Sequence, residues 1–390
     1  MSVIFFEGFN QLTGSIDGSS YLLGLDTNYF TVSSVDTSTI TANGSIMYFG
    51  ADSHTDYLQV KFRDRAVSPS GTKFYIGIRV SGYETSVAKP MKIISFKDSE
   101  SSSNEEFSIR PKPAFDGNIN ADGNLRLELY RESDIDNEVL GWFTVPDATK
   151  STGLARASGV TDDDGYGFFT DNSFGHVLEF EISFSSTSSP PVSIQARYEG
   201  VALSGESDGV QTAVLPMTGF PTKNDWDTIR LYGGQPSYGT DASGIPLRHI
   251  GYQTQIFDLY ILDDQPPGID TWLGKDFAVI NVSAQSNADA VEANEWVNAS
   301  GNTPNQLDIS AGNDGQFVTT ETYNNNNLLF TGQQYSFEFS SLPDAAIAAL
   351  KVTSAARKTS LDAKYIHTIR FGNDILGLGE EVAVTTTSYT

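Results

Sequence analysis

The sequence predicts an all-β protein whose strands pair antiparallel and pack as a two-sheet sandwich. Three observations predict it. Apolar residues recur at every second position in run after run, the mark of strands with one buried face. Clusters of Gly, Ser, Asn, Asp and Pro separate these runs roughly every 8–20 residues. No stretch carries a helical period of useful length, and Ser, Thr, Gly, Asn and Tyr stand where helix formers would. Strands that are apolar on one side only must meet apolar face to apolar face, so two sheets are required.

Taken in order, the first run is Val3 to Phe9, short and very apolar. Leu58, Val60 and Phe62 alternate with Gln59, Lys61 and Arg63; Phe74, Ile76, Ile78 and Val80 alternate with Tyr75, Gly77 and Arg79. Lys92 to Phe96 and Phe107 to Ile109 come next, across a Ser-rich turn, and then Leu125, Leu127 and Leu129 alternate with Arg126, Glu128 and Tyr130. Leu178, Phe180, Ile182 and Phe184 form the cleanest run, with Val192 to Tyr198 as its expected hairpin partner. Trp226 to Tyr232 and Ile250 to Leu262 complete the set. In the last, Phe257, Leu259 and Ile261 alternate with Asp258, Tyr260 and Leu262, until Asp263, Asp264, Pro266, Pro267 and Gly268 end it, because prolines cannot donate to a ladder.

That Pro-Pro-Gly hinge divides the chain. Residues 1–268 are expected to form the larger sandwich and 269–390 a smaller β-domain, with the break between Asp263 and Asp276. Strands of the second part are expected near Phe277–Val282, Gln334–Phe339, Ala346–Ser354, Lys364–Phe371 and Val382–Thr387. The 390 residues suffice for two domains, and 12% aromatic content supplies a core. No repeat of 20–50 residues is present, which excludes propellers and solenoids.

Charge and composition limit function. The net charge is −25, shared as −17 before and −8 after Gly268, so acidity belongs to the whole surface. Nucleic acid and anionic membranes are disfavoured as partners, because phosphate contacts need clustered Lys and Arg. No apolar run approaches the ~18 residues of a spanning helix. MSVIFFEGFN lacks the basic and apolar regions of a secretory signal, and the absence of cysteine suits folding in a reducing cytoplasm.

Catalytic and metal signatures are weak. His54, His176, His249 and His367 lie far apart with no paired spacing, so no metal site or cofactor is expected. Neither a G-x-S-x-G elbow nor a phosphate-binding glycine loop occurs. Glu132, Asp134, Asp136 and Glu138 would share a face at about 6.7 Å intervals on a strand, loosely like the paired carboxylates of a glycosidase, which stand about 5 Å apart in retaining enzymes. Lying between two strand-like runs without apolar flanks, they read as a hairpin turn. Asn118 to Gly123 mimics the start of a calcium loop, yet Leu129 stands where its glutamate belongs. Three connections, Pro146–Ser173, Gly200–Asn224 and Gly233–Arg248, are too long for simple hairpins; they are expected either to plug an open end of the sandwich or to serve as a subunit contact or ligand surface. If the sandwich binds a sugar, the candidate stacking residues are Tyr166, Trp226, Tyr232 and Tyr238.

The stretch FDLYILD (Phe257–Asp263), a short linker, and WLGKDFAV (Trp272–Val279) resemble segments of tailed-phage virion proteins, in which a concanavalin A-like jelly roll precedes a small β-domain. Phe6-Glu7-Gly8-Phe9 resembles the opening strand of that jelly roll. Glu295-Trp296 with Asn298–Asn302, then Asp314-Gly315, Leu329-Phe330 and Ala355–Lys358, resemble landmarks of the second domain. The resemblance implies a non-enzymatic structural component of the virion (tail, fibre or capsid-associated), assembled in the host cytoplasm. Its partners would be other virion proteins, further copies of itself and a host-surface glycan. A carbohydrate-binding module is the alternative, and a jelly-roll glycoside hydrolase a more distant one. The resemblance also implies that Val3–Phe9 pairs antiparallel with Gln255–Leu262 and closes the first domain.

Overall fold

The computed structural model describes residues 2–9, 14–16, 30–32, 40–42, 47–48, 57–63, 72–81, 83–86, 92–100, 105–113, 125–132, 137–145, 165–168, 175–187, 191–232, 238–240, 246–247, 255–264, 272–279, 286–287, 296–298, 318–320, 335–336, 364–365, 368–371, 374–378 and 382–383. The chain is all-β: among the described residues every strand pairs antiparallel and none is helical. It divides into two compact units, Met1–Glu338 and Phe339–Thr390.

Two large sheets make the sandwich of the first unit. One runs Val201–Ala202, Val192–Tyr198, His176–Phe184, Lys73–Ser81, Gln255–Asp263, Met47–Tyr48, Ile40–Ala42, Gly14–Ile16. The other runs Val210–Thr212, Ser204–Ser207, Asn137–Val145, Leu125–Glu132, Glu106–Pro113, Ile94–Lys97, Thr228–Tyr232, Tyr57–Lys61, Phe30–Val32. Their apolar faces meet as the alternation requires. Ile76, Ile78, Val80, Leu178, Phe180, Ile182 and Ile194 from the first pack in one buried cluster with Leu58, Val60, Phe107, Ile109, Leu127, Leu129, Ile229 and Leu231 from the second. Trp226 sits in this core fully buried, its ring 5.0 Å from those of Phe62 and Phe74 and 5.5 Å from Phe220.

The N-terminal strand closes the first sheet as expected. Ser2–Glu7 pairs antiparallel with Gln255–Asp263, from Ser2 opposite Asp263 to Glu7 opposite Leu259. Phe5 and Phe9 are buried against Phe30, with ring centroids 5.6 and 5.9 Å away. One detail of the partner strand departs from strict alternation. Its pairing with Lys73–Ser81 slips between Ile256 and Asp258, so Ile256, Leu259 and Ile261 face the core while Phe257 is only half-buried. A bulge shifts a strand's register by one residue, which sequence periodicity cannot anticipate.

The segment after the hinge also differs from expectation. Phe277 to Val279 form no strand, and residues 280–282 lie outside the described ones. Trp272–Val279 instead lies along the outer face of the first sheet as a strap. Phe277, Trp272 and Leu273 pack there with Tyr75, Val177, Tyr260 and Leu262. Arg79 donates to the carbonyls of Lys275 (3.1 Å) and Phe277 (2.5 Å), the Val279 N–H donates to Asp258 Oδ1 (3.0 Å), and the Gly274 N–H donates to Glu179 Oε1 (2.8 Å). Backbone groups that could have joined a ladder are thus satisfied by side chains of the sheet. The boundary expected at residue 268 therefore lies inside the first compact unit. Beyond the strap the described pairings are short: Ser286–Asn287 with Tyr335–Ser336, Trp296–Asn298 with Val318–Thr320, and, in the second unit, Lys364–Tyr365 with Val382–Ala383 and Thr368–Phe371 with Asp374–Leu378. The strand expected at Ala346–Ser354 lies outside the described residues.

Gly77 shows how tightly this outer face is built. It stands opposite Tyr260, and a Cβ added there would lie 1.9 Å from the Tyr260 ring. Gly77→Leu should displace the ring, free the strap and cost about 3 kcal/mol, at the upper end for overpacking; urea denaturation measures it. Removing residues 1–9 should destabilise the sandwich further, because it uncovers Phe30 and leaves the Leu259–Asp263 edge without its partner.

Candidate binding face

With the strap over the outer face of the first sheet, the outer face of the second sheet is where polar side chains gather. Cross-strand register places them. Gln59, Arg230, Ser95, Ser108 and Tyr130 stand opposite one another in a row across five strands. Lys61, Thr228 and Lys97 form a second row, and Glu106 faces Glu132.

Glu106 is the hub. It is buried, and its Oε1 accepts from Lys92 Nζ at 3.1 Å and from the Tyr232 hydroxyl, while Oε2 accepts from Arg230 Nη1 at 3.0 Å. Glu132 takes Lys92 Nζ at 2.6 Å and pairs with Arg110. Arg110 Nε donates to Ser108 Oγ at 3.2 Å, and Arg230 Nε donates to Gln59 Oε1 at 3.0 Å. Three guanidinium groups cap aromatic rings: Arg110 over Tyr130 at 3.8 Å, Arg230 over Tyr57 at 4.2 Å and Arg126 over Trp142 at 4.7 Å.

Packing sets the electrostatics. Burial opposes ionisation of Glu106, but Lys92, hydrogen bonds from Ser95 and Tyr232, and Arg230 outweigh it and hold its carboxyl below the usual range. Burial lowers Lys92, with Glu106 opposing, and burial followed by Arg230 lowers Lys97. Burial and then Glu106 push the Tyr232 phenol up. Among the described residues the face holds six cations, Lys61, Lys92, Lys97, Arg110, Arg126 and Arg230, against four carboxylates, Glu106, Glu128, Glu132 and Glu206. On a chain of net charge −25 this is a local reversal of sign. Lys61 and Lys97 form no ion pair among the described residues.

The expected stacking residues fall in different places. Trp226 is a core residue, its Nε1–H donating to the Thr228 carbonyl at 3.1 Å, so it cannot stack on a ligand. Tyr232 lies on the face but is buried under Lys92, with its hydroxyl on Glu106. Tyr166 and Tyr238 belong to the short strands Gly165–Phe168 and Tyr238–Thr240, and their side chains lie outside the described residues. Nothing places the three tyrosines and the tryptophan at one site.

The remaining candidates resolve similarly. The acidic run is a hairpin end, since Glu132 closes one strand and pairs with Asn137, the first residue of the next. Glu132 is engaged by Lys92 and Arg110, and Glu138 by Arg131 at 3.2 Å; residues 133–136 lie outside the described ones. His176 is buried with Nδ1 2.5 Å from the Tyr198 hydroxyl. His54, His249, His367 and Asn118–Gly123 lie outside the described residues. Among the described residues no three His, Asp or Glu gather as for a metal ion.

Sequence reasoning passed over Glu106, Lys92 and Arg110. The alternation of Glu106, Ser108 and Arg110 with Phe107 and Ile109 did mark a polar face, and so did Arg230 and Tyr232 beside Ile229 and Leu231. Which of these charges meet is a matter of strand order, and the chain brings residues 92, 106, 132 and 230 together from four separate stretches.

No family model matches the chain, and no curated protein does. Among solved structures it is similar to the botulinum neurotoxin serotype D binding domain, with TM-score 0.25, 11% identity and coverage of 75% of this chain and 58% of that one. A point mutant of HCR/D gives TM-score 0.24 with the same identity and coverage. The chain thus spans less than two thirds of the length of these structures, and at such scores the likeness carries no argument about function.

The hub makes a pH prediction. A carboxyl held below its unfolded value contributes stability above the ordinary carboxylate range, about pH 4, and loses it as pH falls through the folded value. Glu106→Gln leaves Lys92 and Arg230 without their shared partner and should cost about 3–5 kcal/mol at pH 7. The difference from the unsubstituted protein should narrow as pH falls below 4, measured by urea denaturation across pH.

Proposed function

We propose that this chain is a non-enzymatic structural protein of a tailed-phage particle that works by protein–protein assembly. The observation that carries the reading is the form of the 200–224 connection. It is an ordered extension of both sheets at one side of the sandwich: Val201–Ala202 and Leu215–Pro216 join Val192–Tyr198, while Ser204–Ser207 joins Asn137–Val145 and turns back into Val210–Thr212. Val210–Thr212 ends its sheet among the described residues. Exposed on this extension are Val210 at 65%, Val201 at 62% and Val214 at 37%, with Val139 at 43% on the neighbouring Asn137–Val145 strand. An ordered edge strand with bare valines is a template for another chain, and monomeric proteins blunt such edges with charge, Pro or a covering loop.

Two further points support the reading. The segments that resemble virion proteins, Phe257–Asp263 and Trp272–Val279, are the central strand and the strap, so the resemblance falls on what fixes where the chain leaves the sandwich. The charged groups around Glu106 are bonded to one another, which suits a rigid mount. The carbohydrate-binding alternative draws no support from the face described, because Tyr57, Tyr130 and Trp142 carry guanidinium groups where a sugar would stack.

Val210→Lys should weaken self-association of the full chain at least ten-fold by sedimentation equilibrium, with the melting temperature unchanged. Mass spectrometry of purified phage particles should find the chain at fixed copy number. A chain that is monomeric at high concentration and absent from particles would overturn the reading.

A further inference from the structure

Among the described residues, two sets of charged groups, opposite in sign, stand without ion pairs on one sheet. Lys61 and Lys97 flank Thr228 on the outer face of the second sheet, backed by Arg230, and among the described residues neither lysine forms an ion pair. Toward the other end of the same sheet, the Ser204–Thr212 hairpin carries Glu206 and the exposed Asp208, and among the described residues neither of these forms an ion pair. Asp208 and Gly209 hold the turn with φ of 51° and 74°, so the carboxylate sits at the tip of an ordered hairpin beside Val210.

The two sets cannot meet within one molecule. Ser204–Ser207 is second in the sheet, Ile94–Lys97 sixth and Tyr57–Lys61 eighth. At ~4.8 Å per strand they are roughly 20 to 30 Å apart. Two lysine faces set against each other would repel, so a symmetric face-to-face pair is disfavoured. Complementary patches at opposite ends of one sheet instead favour a heterologous contact, repeated from copy to copy.

We infer that the Lys61–Thr228–Lys97 row is a docking site for the Glu206–Asp208 hairpin of a second copy of this chain, giving head-to-tail association. The inference rests on the assembly reading above and names its acceptor surface. The acidity of the rest of the chain makes the contact selective, since a basic landing place is needed and other approaches bring like charges together. Burial and then Arg230 keep Lys97 below the usual ammonium range, with Glu106 and Asp98 opposing.

The experiment is a charge exchange on the full chain. One variant carries Lys61→Glu with Lys97→Glu; the other carries Glu206→Lys with Asp208→Asn, asparagine being chosen because it tolerates the left-handed turn. Each alone should associate at least ten-fold more weakly than the unsubstituted protein in sedimentation velocity. An equimolar mixture should regain association, because each variant's altered surface now meets a complementary one. That regain also shows that both variants are folded. If the mixture fails to associate, or if the lysine variant associates normally, the inference is overturned. If the lysine variant associates normally while Val210→Lys does not, the hairpin is still an assembly edge and only its acceptor has been misplaced.

Discussion

Both faces of the Gln255–Asp263 strand are in use, and the rest of the sandwich depends on it. Its edges pair with Lys73–Ser81 on one side and with Ser2–Glu7 and Met47–Tyr48 on the other. Inward, Ile256, Leu259 and Ile261 enter the core. Outward, Asp258 and Tyr260 hold the strap: Asp258 receives Arg79 Nε at 3.1 Å and the Val279 N–H, and Tyr260 stacks edge-on with Phe277 at 4.7 Å while its hydroxyl donates to buried Glu179 at 2.5 Å. A strand with one dry face is ordinary in antiparallel sheets. A strand dry on both needs a cover, and here the chain's own continuation supplies it.

The strap shows why a Pro-Pro-Gly hinge is a weak marker of a domain boundary. The prolines do end the ladder, as their missing N–H groups require. The strap beyond them is nevertheless held to the same sheet by Arg79, Asp258 and Glu179, each bonded to backbone groups of residues 274–279. Gly8 belongs to the same arrangement, since a Cβ there would lie 2.8 Å from the Val279 carbonyl oxygen. The opening segment and the strap therefore approach each other closely, and both ends of the sandwich sequence are fixed at one place.

The two outer faces are handled differently. The first is apolar at its centre and is covered by the strap. The second is polar, and its charges bond to one another around Glu106, leaving Lys61 and Lys97 over. A face of this kind is costly to desolvate unless the partner brings the opposite charge, which directs it toward acidic surfaces and away from apolar ones. The exposed valines lie instead on the 200–224 extension and the strand beside it, where Val210 shares its hairpin with Glu206 and Asp208.

The class, most of the strands and the two core faces were legible in the amino-acid pattern alone, because a period of two in apolar residues is a local signal and survives any arrangement of the strands. So was the need for a closing pair, since an opening strand as apolar as Val3–Phe9 must be covered. Tyr232, singled out from the pattern, does lie on the polar face, and the long Gly200–Asn224 connection is an ordered extension of both sheets. The assembled sheets were needed to show that Trp226 is core, because its place is set by a loop entering the sandwich ahead of Thr228 rather than by strand alternation. The bulge at Ile256, the strap and the Glu106 hub likewise emerge only on assembly. Each depends on which strands become neighbours and in what register, and that is fixed by packing over separations of tens to hundreds of residues, where a local pattern carries no information.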